Sequence, residues 1–252
     1  MSTAARDQLS TSGPDLGEGV AAAFSGRAGG VSKPPYQSLN LGLGVGDDPA
    51  AVQANRAALA RACGLPPASL TFMRQVHGAD VWYAGPGSTE PSAPVDAMFT
   101  DQPGRALCVL VADCVPVLIA DPVARMVGAA HAGREGLVAG VVPSLVAAMT
   151  AAGASPARMR AVTGPAICGG CYEVPALMRA RVGAVVPAAS CDTFAGTAGL
   201  DIATGVRAQL AVAGVGAIAT DSRCTRESDG LYSYRRDGVT GRFAGLVWLA
   251  DR

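Results

Sequence analysis

The chain contains two histidines, and both stand where a strand should end: His77 in FMRQVHGADVW and His131 in MVGAAHAG. Between them Cys114 falls in VADCVPVL, in a turn flagged by Asp113 and Pro116. Strand ends are where side chains from distant segments converge on one rim of a sheet. Two imidazoles and a thiolate suit a zinc ion with its fourth position open, the arrangement of catalytic rather than structural sites. An ion held in that way lowers the pKa of a bound water or polarises a phosphate or carbonyl oxygen. The ligand spacing is long and irregular. Taken singly, a strand-end histidine is ordinarily a hydrogen-bonded structural residue and a buried cysteine an inert one. The surroundings favour the ligand reading, because Ala130, Ala132 and Gly133 clear space around His131. Asp113 is expected as the hydrogen-bond acceptor behind the His131 ring.

Other residues could assist. CGGC, Cys168 to Cys171, has redox or zinc spacing, but no second CxxC accompanies it and no thioredoxin-like βαβ start precedes it. Cys171 is the cysteine that could close the trio into a saturated, purely structural site. Cys63, Cys108, Cys191 and Cys224 read as core or incidental residues. For anions, Arg27 sits on the glycine-rich turn SGRAGGVS, whose backbone N–H groups could face an oxyanion. The helix after HAGREG aims its N-terminus at the surroundings of His131, and SYRRDGVTGR adds Arg235 and Arg236. Any one of these arginines, alone, would pass for a solvated surface residue. Asp113 and Glu173 are the candidate proton carriers.

These residues need a scaffold, and the hydrophobic pattern supplies one. GVAAAF reads as a strand running into the Arg27 turn, and DDPAAVQANRAALARACGL as a helix with an Asp-Asp-Pro start and a Gly64 stop. From Leu70 onward, short apolar runs (LTFM, ADVWYA, DAMFT, ALCVLVA, VPVLIAD, MVGAAHA) read as strands. GLVAGVVPSLVAAMTAAG is a helix that Pro143 should bend or restart. MRAVTGPAI is a strand, VPALMRARVGAVV and IATGVRAQLAVAG are helices, and RFAGLVWLA is a closing strand. The expected architecture is α/β (α+β): a single layered domain over residues 17–252, with a mixed central β-sheet flanked by helices, after a disordered lead-in over residues 1–16.

Composition bounds the partner. Half of the 252 residues are apolar, 16% are charged and the formal net charge is zero, which argues against a sequence-independent grip on nucleic acid or an anionic membrane. No signal-peptide pattern and no membrane-length apolar run is evident, so a cytoplasmic location is expected. Seven cysteines, an odd number, do not form a secreted disulfide framework. The partner implied is a small molecule, and the assembly a monomer or weak homodimer.

FSGRAGGVSKPPYQSLNLGLGVGDDPAAVQANR, RQVHGADV, ADCVPVLIADP, GAAHAG, GPAICGGCYEV and SYRRDGVTGRFAGLVWL occur in that order. Together they resemble the YfiH family, also called the laccase-domain or polyphenol oxidase family, over nearly the whole chain from Val20 to Leu249. The resemblance implies a fold related to the catalytic domain of a bacterial cytotoxic necrotizing factor. It implies a zinc site from the histidine of QVHG, the cysteine of ADC and the histidine of HAG, here His77, Cys114 and His131. The activities implied are phosphorolysis of purine nucleosides (adenosine, inosine, methylthioadenosine) and deamination of adenosine. An older family label is copper oxidase of phenols, and some members are linked to editing of peptidoglycan precursors. Within the matching motifs, Asn40 and Gln75 join Arg27 and Arg235 as substrate-binding candidates.

The chain departs from the family pattern twice. Arg134 and Glu135 follow HAG where an aromatic and then an arginine are common, and Gly169-Gly170-Cys171 replaces a proline before a Cys-Cys pair. Multicopper chemistry needs many imidazoles, and two cannot furnish them, although copper could displace zinc in vitro. A metal-free alternative makes Cys114 the nucleophile of a cysteine hydrolase activated by a histidine. A non-catalytic metabolite-binding protein with a structural metal is the remaining reading.

Overall fold

A computed structural model describes residues 13–250. In chain order the elements are β1 (Val20–Phe24), α1 (Pro49–Ala62), β2 (Leu70–Phe72), β3 (Val81–Tyr83), β4 (Ala97–Thr100), β5 (Ala106–Val111), β6 (Val115–Asp121), β7 (Met126–Ala132), α2 (Arg134–Ala139), α3 (Val141–Ala151), β8 (Arg160–Thr163), α4 (Ala176–Val185), β9 (Ser190–Asp192), β10 (Ala198–Leu200), α5 (Ile202–Val212), β11 (Ala217–Thr220), α6 (Tyr234–Asp237) and β12 (Phe243–Leu249). No helix among the described residues is long and apolar enough to cross a membrane.

The strands form two principal mixed sheets rather than one. The first has order β1-β12-β5-β2 and the second β11-β8-β6-β7-β4-β3, with β9 and β10 as a separate hairpin. Three apolar clusters define four layers. Leu59 of α1 packs with Cys108 and Leu246 on the outer face of the first sheet. Phe24, Val109, Leu118, Ala129 and Phe243 fill the space between the sheets. Val117, Ile119 and Ala130 pack against Leu145 and Met149 of α3 and Val206 of α5. Strands β6 and β7 therefore have both faces covered, which is why their seven-residue runs are buried throughout and read as continuous apolar sequence.

Local chemistry sets the boundaries. Asp48 caps α1 by accepting from Ala50 N at 2.9 Å, with Pro49 at the first helical position. The helix expected to restart at Pro143 breaks earlier: Gly140 takes φ +82° between α2 and α3, a left-handed conformation that glycine adopts without a Cβ clash. Pro143 lies in the first turn of α3, where its missing N–H costs nothing. Residues 13–16 of the expected lead-in are described and are tied to the fold. Leu16 is buried in the core between the sheets, and Asp15 pairs with Arg160 at 2.8 Å. Residues 1–12 lie outside the described residues.

Asp121, at the end of β6, is fully buried and accepts from Val123 N, Ala124 N, Ser155 N and the Arg158 guanidinium at 2.8 to 3.3 Å. Burial alone would raise its pKa, but the Arg158 hydrogen bond and the backbone donors outweigh it and hold the carboxyl below its ordinary value. A depressed folded-state pKa gives stability that is present above the unfolded value of 3.8 and is lost as pH falls toward the folded one. Asp121→Asn should therefore lower stability at neutral pH by about 2–3 kcal/mol and flatten the acid limb below about pH 4. Urea unfolding at several pH values checks this, and a parallel shift of the whole profile would refute it.

Candidate active site

His77, Cys114 and His131 converge on one rim. Cys114 immediately precedes β6, and His131 is the penultimate residue of the neighbouring β7. The antiparallel ladder places Val115 opposite Ala132 and Pro116 opposite His131, so the β6–β7 register sets the spacing of two of the candidate ligands. His77 arrives from the β2–β3 connection. Its Nε2 lies 3.8 Å from Cys114 Sγ, and its ring meets the His131 ring edge-on with centroids 4.7 Å apart. One donor atom from each of the three residues lies within 4.8 Å of the others. His131 is 3% exposed, Cys114 is partly buried and His77 is exposed, so the trio opens to solvent on the His77 side.

The residue that organises both histidines is Asp96, which the sequence reading did not single out. Asp96 is fully buried at the entry to β4, and its Oδ1 lies 2.8 Å from His131 Nδ1. That contact leaves Nε2 of His131 for an ion, the tautomer a ligating histidine requires. The same carboxylate accepts from Val76 N, His77 N and Gly78 N at 2.7 to 3.0 Å. Three successive N–H groups wrapped around an anion form a nest, and this explains why His77 takes φ +63°. Burial works to raise the Asp96 pKa, but the His131 hydrogen bond and the Gly78 and Val76 amides outweigh it and hold the carboxyl below its usual value. Asp113, expected in this role, is placed elsewhere. Its carboxylate accepts from Thr225 Oγ1 and Arg235 N, both at 2.6 Å, and at φ +97° it carries strain on the order of 1–3 kcal/mol.

Burial pushes the Cys114 thiol up, but the charge and hydrogen bond of His131, reinforced by His77, outweigh it and bring its pKa down to about 6. Burial works in the opposite sense on His131, and the Cys114 and Asp96 charges overcome it and raise the imidazole to about 9. Without a metal each group therefore favours the charged form of the other, thiolate beside imidazolium. Both donor types lose their protons when they ligate, and two imidazoles with one thiolate fit a single borderline ion.

Gly133 keeps the trio together. A Cβ at this position would stand 2.6 Å from His77 Cδ2 and 3.0 Å from Cys114 Sγ, while its φ of −82° suits any residue. Gly133→Ala should leave the fold intact and weaken metal binding at least about tenfold by spreading the ligands. Chelator competition and thermal unfolding on the same variant check this. Unchanged affinity would show that the ligands tolerate the displacement.

The trio lies in a cleft of about 1410 Å³ lined by Arg56, Arg74, Arg134, Arg235 and Arg242, with Glu90 and Asp113 as the lining acids. Tyr172 and Phe72 supply aromatic wall, with the Arg235 guanidinium 5.0 Å from the centroid of the Tyr172 ring. The remaining expected residues fall into two groups. Arg235 and Gln75 line the cleft, but both polar ends of the Gln75 amide are taken by Leu110, through its N–H and its carbonyl. Arg27, Asn40 and Glu173 are not among the lining residues. Arg27 lies over Tyr232 and near Asp237, Asn40 is buried and fixes Gly42 and the Arg242 N–H, and Glu173 is exposed in a bridge to Gly199. Arg236 donates to the carbonyls of Thr225, Ser228 and Leu231 and so braces its own loop. Cys171 does not join the trio; it lies with Cys168 and Cys224.

Comparison with known proteins agrees with this architecture. A family model described as multi-copper polyphenol oxidoreductase laccase matches residues 21–250. A Streptomyces coelicolor protein named purine nucleoside phosphorylase SCO2081 is 56% identical over 236 residues, 93% of this chain and 98% of its own. The Shigella flexneri protein named purine nucleoside phosphorylase YfiH is 41% identical over 241 residues, 93% and 96% of the two chains. Among solved structures, Neisseria meningitidis protein NMB0706 aligns with a TM-score of 0.83 at 37% identity, covering 94% of this chain and 96% of that one. YlmD from Geobacillus stearothermophilus gives 0.83 at 34%, covering 93% of each. The chain therefore belongs to the laccase-domain family, whose YfiH-type members share its fold across nearly its full length.

Proposed function

We propose that the chain is a zinc-dependent purine nucleoside phosphorylase acting on adenosine, inosine and methylthioadenosine. The observation that carries this reading is the charge of the cleft: five arginines and two acids line it around the His77–Cys114–His131 trio, and among the described residues Arg134 alone of the five is paired with an acid outside the lining, Glu135. Such a lining selects an anionic co-substrate, and the names of the relatives supply the class of reaction. When bound, zinc supplies a Lewis acid for an oxygen of phosphate or water.

The chain's own residues do the rest. Arg134, Arg235 and Arg242 hold phosphate from several sides, the task first assigned to Arg27. Tyr172 offers a face for the purine, which leaves as the sugar passes through an oxocarbenium-like state, while the Phe72 ring is stacked under the Arg56 guanidinium at 3.7 Å. Positioning two reactants in one cleft and stabilising the charge that develops supply most of the barrier reduction. Adenosine deamination is proposed as a second activity of the same cleft, with Asp113, which lines it beside Cys114 and whose two oxygens accept from Thr225 Oγ1 and Arg235 N, as the candidate proton carrier. The test is release of free base from inosine and adenosine with and without phosphate. Base and ribose 1-phosphate formed only with phosphate support the reading, whereas equal release without phosphate overturns it.

One observation favours a second reading. Cys114, His131 and Asp96 form a thiolate, imidazole and carboxylate series of the kind that activates a cysteine nucleophile. That reading leaves His77 without a role. Hydrolysis of peptide or acyl substrates by chelator-treated protein would establish it.

A further inference from the structure

A second group of sulfur donors lies apart from the trio. The connection after β8 carries Cys168 and Cys171, and the connection after β11 carries Cys224 and Glu227. Their three Sγ atoms and one Glu227 carboxylate oxygen all lie within 4.8 Å of one another. Both segments are folded into tight turns by their own backbones. Cys171 N and Tyr172 N donate to Cys168 O, each at 3.0 Å, while Glu227 N and Ser228 N donate to Cys224 O at 3.2 and 3.0 Å. The two turns are stitched together by the Ala166–Cys224 bridge and by Thr225 N donating to Ala166 O at 3.1 Å. Across the join, Cys168 N donates to Cys224 Sγ at 3.4 Å. Cys171 and Cys224 are buried, Cys168 is partly buried and Glu227 is exposed, so the carboxylate closes the group from the solvent side.

We propose that Cys168, Cys171, Cys224 and Glu227 form a second metal site, which holds one zinc ion in a structural role. Three thiolates exclude hard cations such as magnesium or calcium and suit zinc. Zinc–sulfur bonds of about 2.3 Å in a tetrahedron place the sulfurs about 3.8 Å apart, so the observed grouping needs little contraction. On binding, the thiols give their protons to water. Four protein donors leave no open position, unlike the His77–Cys114–His131 trio. A disulfide would use two of the sulfurs and leave the third, with the carboxylate, unexplained. The consequence reaches the cleft through neighbours in sequence. Ile167 N donates to Asp113 O at 2.9 Å, Thr225 Oγ1 donates to the Asp113 carboxylate at 2.6 Å, and Tyr172 forms cleft wall. An ion joining the two turns would hold the strained Asp113 and the Tyr172 face in place.

The test uses the full reduced chain and reads metal rather than activity, so it stands or falls separately from the phosphorylase reading. Cys114→Ala protein is titrated with Zn²⁺ against a chromogenic chelator. Cysteine alkylation is then followed by mass spectrometry in this variant and in the unaltered chain, with and without zinc. One zinc per Cys114→Ala chain is expected, with alkylation of Cys168, Cys171 and Cys224 slowed at least about tenfold and Cys191 unaffected. Glu227→Gln should weaken that zinc at least about tenfold, as loss of a metal contact does. Cobalt-loaded Cys114→Ala protein should give an X-ray absorption spectrum with three sulfurs and one oxygen. No zinc uptake, zinc that leaves the three cysteines as reactive as before, or a Cys168–Cys171 disulfide in protein kept reduced would each overturn the proposal. The alkylation pattern of the unaltered chain needs no variant to fold.

Discussion

Replacing Cys114 with alanine is expected to lower kcat/KM for nucleoside phosphorolysis at least about 10³-fold, equivalent to about 4 kcal/mol of transition-state stabilisation. Thermal stability should change little, because Cys114 is only partly buried, in a bend at the margin of the core between the sheets. The reason is the size of the ligand set: with two imidazoles left, an ion loses its one thiolate and much of its affinity. His77→Ala should behave in the same way and more cleanly, since His77 is exposed. Steady-state rates with saturating phosphate, together with metal content, check both variants. Activity that survives both substitutions removes the trio from the mechanism. Activity lost from Cys114→Ala but kept by chelator-treated unaltered protein would transfer the case to the cysteine nucleophile.

Asp96→Ala should be the most destabilising single change at the site, by roughly 3–5 kcal/mol. It strips acceptors from three backbone N–H groups and from the His131 ring at a fully buried position. Asp96→Asn separates the positioning effect from folding, because the amide keeps the volume and one acceptor oxygen. Its NH₂ group must face donors, so some of the four contacts are lost and zinc affinity should fall about 10–100-fold. Nitrogen chemical shifts of the His131 ring would show the change of tautomer directly. Unaltered shifts with unaltered affinity would show that Asp96 serves folding alone.

Much of this site is legible in sequence, and the illegible part has a common cause. The helices and the long strands stand out because burial on one or both faces imposes a period or a continuous apolar run. The trio stands out because histidine is rare here and each member sits beside small residues or a turn. The short elements β9 and β11 bury little, and β10 is only three residues long, and so their sequences carry no pattern. Partner choice is the other gap. Nothing near Asp113 or Asp96 in sequence says which carboxylate lies behind His131, since that depends on β4 pairing with β7. A clue was available: an aspartate at the entry to the fully buried run AMFT needs a polar partner. The arginines illustrate the same limit. Arg27 and Arg242 each follow or precede glycine, and only the crossing of loops puts Arg242 in the cleft and leaves Arg27 outside it.

The β6–β7 hairpin has Cys114 and His131 at one end and its turn, residues 122–125, at the other. Chain length is therefore unequally constrained along it. Residues added at the turn lengthen a surface loop and leave the ladder from Val115–Ala132 to Asp121–Met126 in register. A single residue added between Gly128 and His131 slips the ladder by one and turns the imidazole to the opposite face. Variation in length among related chains should thus collect at the turn, and the last few residues before Gly133 should hold a fixed count whatever their identity.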